Sequence, residues 1–94
     1  MLLQVNYLIR SKKDGKYLVA RLPEQSGLEA TYLLVFERDY DALSYINTHG
    51  KEYSDRLTVE TASPAQLQSL RERWDYKGFG IVSDPLVPNI KFVA

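Results

Sequence analysis

The first third of the chain reads as a pair of strands. Apolar and polar residues alternate from Leu3 to Ile9, which is typical of a half-buried strand. The dipeptide Asp14-Gly15 tolerates positive φ and predicts a hairpin turn. A second strand is expected over Tyr17 to Leu22, before Pro23 ends it. The segment Thr31 to Phe36 is apolar on both alternating faces, so it predicts a central strand covered on at least one side.

The second half of the chain alternates predicted helices with strands. Leu43 and Ile46 lie one turn apart and indicate a short helix over about residues 40 to 49. A strand is predicted over Leu57 to Thr61 and another over Phe79 to Val82. The stretch that contains Ile90 and Phe92 is an optional last strand at the edge of the sheet.

The strongest local signal opens the second helix. Ser63-Pro64 supplies a capping hydroxyl and a proline at the first helical position, and Gln66 follows the cap by three residues. Leu67, Leu70 and Trp74 then recur at helical spacing, so they predict one apolar stripe packed on the sheet.

These elements define a fold class. Their order is βββαβαβ with an optional further strand, so the sequence predicts one α+β domain over residues 1–94. We expect a mixed or antiparallel sheet with two short helices packed on one face.

Composition restricts the chemistry more than it assigns a function. The 94 residues include no cysteine, which excludes a disulfide scaffold, a thiolate metal site and a cysteine nucleophile. Twelve basic and twelve acidic residues give a formal net charge of zero, so no global field attracts nucleic acid. The run Met1-Leu2-Leu3 has no basic region before it and Gln4 interrupts it, so we expect neither a signal peptide nor a membrane span. A cytoplasmic protein is the expectation.

Several of these segments resemble the N-terminal domain of the SseB (enhanced serine sensitivity) family. The shared features are Leu34-Val35-Phe36 followed by a helix with Asp41-Ala42-Leu43, the Ser63-Pro64 helix start, and Gly80-Ile81-Val82 leading into Asp84-Pro85. The resemblance covers residues 32–92. It implies an intracellular α+β module without established enzymatic activity, and it carries over no functional residue.

The candidate catalytic and metal-binding groups each have a structural explanation. His49 could act as a general base if Asp39 or Glu52 oriented it, although a histidine in the last turn of a helix also interacts favourably with the helix dipole. Glu37, Asp39 and Asp41 could gather a hard cation, but carboxylates at a helix start are also favoured as caps. We therefore expect no catalytic residue and no metal.

The pair of glycines in Gly78-Phe79-Gly80 does not predict a phosphate loop. It lacks the remaining spacing of a dinucleotide fingerprint, and no helix follows it directly. The glycines are better explained by a turn and a close backbone approach, so no cofactor is expected.

Two groups of residues are candidates for binding a partner. The hairpin carries four cations beside Tyr17, an arrangement that suits single-stranded nucleic acid or simply protects a sheet edge: Arg10, Lys12, Lys13 and Lys16. Seven tyrosines exceed the needs of a small core, and tyrosine is enriched at protein interfaces. Five of them are candidate partner-binding residues: Tyr32, Tyr40, Tyr45, Tyr53 and Tyr76.

The sequence thus favours a small cytosolic interaction or regulatory module, without catalytic activity of its own, that contacts a protein partner or a second copy of itself. The alternatives are a nucleic-acid-binding accessory protein that uses the basic hairpin and, third, a small-ligand sensor or enzyme.

Overall fold

A computed structural model describes residues 4–25 and 27–93. Their strands form one six-stranded mixed sheet, which carries two α-helices and a short 3-10 helix. The elements, in chain order, are β1 (Asn6–Ser11), β2 (Val19–Pro23), β3 (Glu29–Phe36), α1 (Asp39–His49), the 3-10 helix (Lys51–Arg56), β4 (Leu57–Ala62), α2 (Pro64–Arg73), β5 (Gly78–Asp84) and β6 (Asn89–Val93). The α+β class, the mixed sheet and the optional last strand are confirmed.

The central strand of the sheet is β3, as its apolar pattern predicts. The strand order is β4-β1-β3-β5-β6, and β2 also pairs with β3. One edge of β3 is shared, because β2 pairs with its first half while β1 reaches only Phe36. Its other edge pairs with β5 in parallel, and all the remaining ladders are antiparallel. The two outermost strands on this path are β4 and β6.

The two helices lie on opposite faces of the sheet, so the expectation of one shared face is wrong. Leu34 and Phe36 of β3 pack in one buried cluster with Ala42 and Ile46 of α1. The alternate residues Leu33 and Val35 point the other way and pack with Leu67 of α2. A strand that is apolar on both faces needs cover on both sides, and each helix supplies it for one face.

Helix α1 lacks the side-chain cap that its acidic start suggested. It begins at Asp39, and its N-cap residue is Arg38, whose side chain makes no capping hydrogen bond. The Oδ1 of Asp39 accepts a hydrogen bond from the backbone N–H of Tyr40 at 2.7 Å. Asp39 and Asp41 lie in the first turn, where their charges still favour the helix dipole.

Helix α2 begins at Pro64, and its capping signal is confirmed. The hydroxyl of Ser63 accepts a hydrogen bond from the backbone N–H of Gln66 at 3.2 Å. The Oε1 of Gln66 accepts one from the backbone N–H of Ser63 at 2.8 Å. These reciprocal bonds satisfy two amides at the helix start.

The predicted packing of Trp74 beneath α2 is wrong. The helix ends at Arg73, and Asp75 has a φ of 57°, a left-handed conformation that turns the chain. Trp74 is 43% exposed, whereas Tyr76, which follows the turn, joins Leu67 in the core and is only 9% exposed. The apolar stripe of α2 therefore contains Leu67, with Leu70 packed beside it.

Some sequence predictions fall outside the described residues. The predicted start of the first strand at Leu3 and the Met1-Leu2-Leu3 run both belong to this group. Within residues 4–25 and 27–93, no helix combines the length and the apolar character needed to cross a membrane.

Candidate functional site

Two of the five candidate tyrosines are more than half exposed. Tyr40 in α1 is 56% exposed and Tyr53 in the 3-10 helix is 53% exposed. The guanidinium carbon of Arg38 lies 5.7 Å from the centre of the Tyr40 ring, which is a cation–π distance. Both rings are accessible to a partner, and that role stays a prediction.

The other three tyrosines contribute to packing. Tyr45 makes an edge-on contact with Phe36 at 5.4 Å between ring centres, and Tyr32 makes one with Phe92 at 5.0 Å. Tyr76 belongs to the core on the α2 face. Burial raises the pKa values of the Tyr45 and Tyr76 hydroxyls above the ordinary value for tyrosine.

His49 lies in the last turn of α1. Its Nε2 is 2.9 Å from the backbone oxygen of Pro85, and its ring packs against Tyr45 with 4.8 Å between ring centres. The structure does not bring Asp39 or Glu52 into hydrogen-bond contact with it among the described residues. This geometry fits a histidine that joins α1 to the segment after β5.

The acidic cluster and the glycine pair do not build a site. Within residues 4–25 and 27–93, no group of three or more histidine, aspartate or glutamate side chains is placed to hold a metal ion. Gly78 and Gly80 lie inside β5, where a Cβ added at Gly80 would come within 3.0 Å of Leu34 and 3.1 Å of Ile90. The predicted turn is therefore wrong, and the close approach at Gly80 comes from the side chains of Leu34 and Ile90, not from backbone as the sequence predicts.

Of the four cations in the basic hairpin, Arg10 is hydrogen-bonded and the three lysines are exposed. The Nε of Arg10 donates to the backbone oxygen of Gly15 at 2.9 Å, which fastens the arginine across the turn. Lys12, Lys13 and Lys16 are exposed. The backbone N–H of Lys12 also donates to the carbonyl of Arg56 at 2.8 Å, so the hairpin lies beside the start of β4.

The Arg10 side chain also belongs to a three-residue network on the α2 face. Its Nη1 lies 3.2 Å from Oε1 of Glu60, and the Tyr17 hydroxyl donates to Oε2 of Glu60 at 3.1 Å. The Arg10 guanidinium carbon lies 5.0 Å from the centre of the Tyr17 ring. The pKa of Tyr17 is raised by burial first and then by its bond to Glu60, while the charges of Arg10 and Arg73 act in the opposite direction.

A groove of about 400 Å³ lies between α2 and strands β1 and β4. The buried side chains of Leu8 and Ala62 line its base. Its polar lining comes from both sides of the groove: Tyr17, Glu60, Thr61, Gln66, Ser69 and Arg73. The groove therefore combines an apolar base with a largely polar lining.

The strand beside this groove has a free backbone edge. In an antiparallel strand, the N–H and C=O of successive residues point alternately to the two sides. The carbonyl of Ile9 accepts from the N–H of Leu18, so Ile9 points away from β4. Its partner Val59, and by alternation Leu57 and Thr61, therefore direct their N–H and C=O groups away from β1. No described strand pairs with that side of β4.

Arg73 is the groove's unpaired cation. It is exposed, and among residues 4–25 and 27–93 it forms neither an ion pair nor a side-chain hydrogen bond. Glu60, the carboxylate of the groove, is already bonded to Arg10 and Tyr17. The unsatisfied charge in the groove is therefore positive.

The exposed Trp74 is one of the residues that line a second cavity of about 510 Å³. Glu29, Thr31 and Tyr76 contribute to its wall, and Lys77 forms an ion pair with Glu24 beside it. Trp74 is the only tryptophan of the chain, so its fluorescence reports on the end of α2 next to Arg73.

Comparisons with known proteins do not assign this arrangement, because no family model, curated protein or solved structure matches the chain. The resemblance to the SseB family therefore stays a prediction.

Sequence reasoning missed the groove because it depends on strand register. Arg10 and Tyr17 flank the Asp14-Gly15 turn, so their proximity is readable from the sequence. Glu60 is 50 residues from Arg10, and only the pairing of β1 with β4 brings them together.

Proposed function

We propose that the protein is an interaction module that binds an extended segment of a partner protein along the free edge of β4. The observation that carries this proposal is the groove between α2 and an unpaired edge strand. An added strand would form main-chain hydrogen bonds with β4, and the groove would accept its side chains, as in β-strand addition.

The geometry suits an extended peptide better than a small compact ligand. The free groups of Leu57, Val59 and Thr61 recur at every second residue, which is the spacing that a neighbouring strand uses. Alternate side chains of an added strand would point toward α2, above Leu8 and Ala62. Backbone bonds would supply affinity, and the groove would supply selectivity.

The wider prediction of a cytosolic, noncatalytic module belongs to the same proposal. The absence of cysteine suits a reducing compartment. The candidate base His49 contacts the backbone oxygen of Pro85 and packs its ring on Tyr45, contacts that a structural histidine makes. A second copy of the chain is one form of partner, because two β4 edges are able to pair antiparallel about a two-fold axis.

The test replaces Thr61, whose side chain is exposed and whose N–H points outward. Proline there removes that N–H and places a ring on the free edge, a position that edge strands tolerate. Thr61→Val is the matched control, since it keeps the N–H. Peptides selected from a displayed random library against the wild-type protein should bind Thr61→Val equally and Thr61→Pro about tenfold more weakly or worse.

Two outcomes would contradict the proposal: a library that yields no binding peptide, or peptides that bind Thr61→Pro as tightly as the wild type. Circular dichroism and urea unfolding establish that both variants fold. Sedimentation of the wild type and Thr61→Pro distinguishes a second copy, because a dimer formed through β4 is lost in the proline variant.

A further inference from the structure

We propose that the segment bound along β4 is acidic, with carboxylate side chains that enter the groove and pair with Arg73. This inference rests on the proposed strand addition and names the chemistry of its partner.

The first step is the charge inside the groove. Glu60 would repel a carboxylate if it were free, but Arg10 lies 3.2 Å from one of its oxygens and the Tyr17 hydroxyl bonds the other. Arg73 faces the same space without a partner among the described residues. An arginine offers a planar fork of donors that matches a carboxylate.

The second step is the charge beside the groove. The hairpin segment 12–16 carries three lysines and one aspartate, and its lysines are exposed. The bond from Lys12 to the carbonyl of Arg56 holds this segment beside the start of β4. A segment lying along β4 would therefore meet positive charge both at the hairpin and at Arg73.

The third step is the alternation of an added strand. Glu60 and Ala62 of β4 face α2, because Glu60 pairs with Leu8 and Leu8 packs on Leu67. Side chains placed opposite them on the added strand face α2 as well, and they recur at every second position. We expect carboxylates at alternate positions of the bound segment.

A single strand of nucleic acid is the competing polyanion for the same cations. Its bases need an open aromatic face, but the Tyr17 ring lies against Arg10 and its hydroxyl is bonded to Glu60. The chain also has no net positive charge. An unpaired strand edge bonds a peptide backbone, so the observations favour a peptide.

The experiment measures fluorescence anisotropy with four labelled probes: short peptides that alternate valine with glutamate, glutamine or lysine, and a short oligothymidylate. The valine–glutamate peptide should bind at least tenfold more tightly than the glutamine peptide, and the lysine peptide more weakly still. Arg73→Ala should remove most of the preference for the glutamate peptide over the glutamine peptide, and Arg73→Lys should restore part of that preference. Lys91→Ala is the matched control, because Lys91 is an exposed cation on the opposite edge strand.

The outcomes separate this inference from the proposed function. Equal binding of the glutamate and glutamine peptides, with loss of both in Thr61→Pro, would refute the acidic preference and leave strand addition intact. An equal effect of Lys91→Ala and Arg73→Ala would refute the role of Arg73. Binding of no peptide would refute both proposals, and tighter binding of oligothymidylate that depends on the hairpin lysines would replace them with nucleic-acid binding.

Discussion

Replacing Leu67 by alanine tests how α2 is held on the sheet. Leu67 is the fully buried side chain of α2, at 1% exposure, and it packs among Leu8, Leu33 and Val35. Alanine removes three carbon atoms, which is about 2.4 kcal/mol of transfer free energy at about 0.8 kcal/mol for each. The cavity left behind raises the expected loss to about 3–5 kcal/mol. A chain of this length has a total stability of about 5–14 kcal/mol, so the loss is a large fraction.

The matched control is the same substitution at Leu43, which lies in α1 and is 51% exposed. Because that side chain is partly solvated in the native state, Leu43→Ala should cost about 1 kcal/mol or less. Urea unfolding followed by circular dichroism measures both values. Equal costs for the two variants, or a cost below about 1 kcal/mol for Leu67→Ala, would refute the inference that one buried leucine anchors the groove wall.

Three further predictions concern the cap, the tyrosines and the tryptophan. Ser63→Ala should cost about 1 kcal/mol through the lost cap, and an equal cost for Ser69→Ala in the same helix would contradict that reason. Because burial raises the pKa of Tyr45 and Tyr76 in the folded state, the free energy of unfolding should hold steady below about pH 10 and fall as the pH rises through the folded pKa values. In urea titrations, the free energy of unfolding of Tyr76→Phe should fall less at alkaline pH than that of the wild type. An equal fall in both proteins would contradict the contribution of Tyr76. The wavelength of maximum Trp74 emission in the native protein should lie near that of the unfolded chain. A native emission maximum shifted strongly to the blue would mean that the indole is buried.

Local signals in the sequence predicted the order of the helices and strands, but they did not predict on which face of the sheet each helix packs. The capping box at Ser63 and the apolar run of β3 act over a few residues, so they are readable without a structure. The apolar character of both faces of β3 predicted cover on at least one side, and the sequence prediction placed both helices on one face. Which face each helix takes depends on the connections between elements, which short-range patterns do not encode.

The candidate site was less predictable than the fold. Helical spacing does not show at which residue a helix ends. It therefore predicts Trp74 as part of the apolar stripe of α2, although α2 ends at Arg73. The groove needs the register of β1 on β4, and the free edge follows from the side of β1 that Leu18 occupies. The tyrosine count showed a surplus of rings, yet it did not separate exposed Tyr40 from buried Tyr76.

The pairing of β1 with β4 has a consequence for how fast the protein folds. Arg10 and Glu60, which join these strands, are 50 residues apart, so β1 gains its neighbour on that side only after the chain through β4 is available. Closing so long a loop costs entropy before any contact offsets it. We expect refolding in about milliseconds to seconds, as for other proteins rich in nonlocal pairing, and microsecond refolding in a stopped-flow or temperature-jump experiment would contradict this. Before β4 pairs with β1, the hairpin around Asp14-Gly15 exposes both of its apolar faces. Its lysines are then the main protection against pairing with another chain.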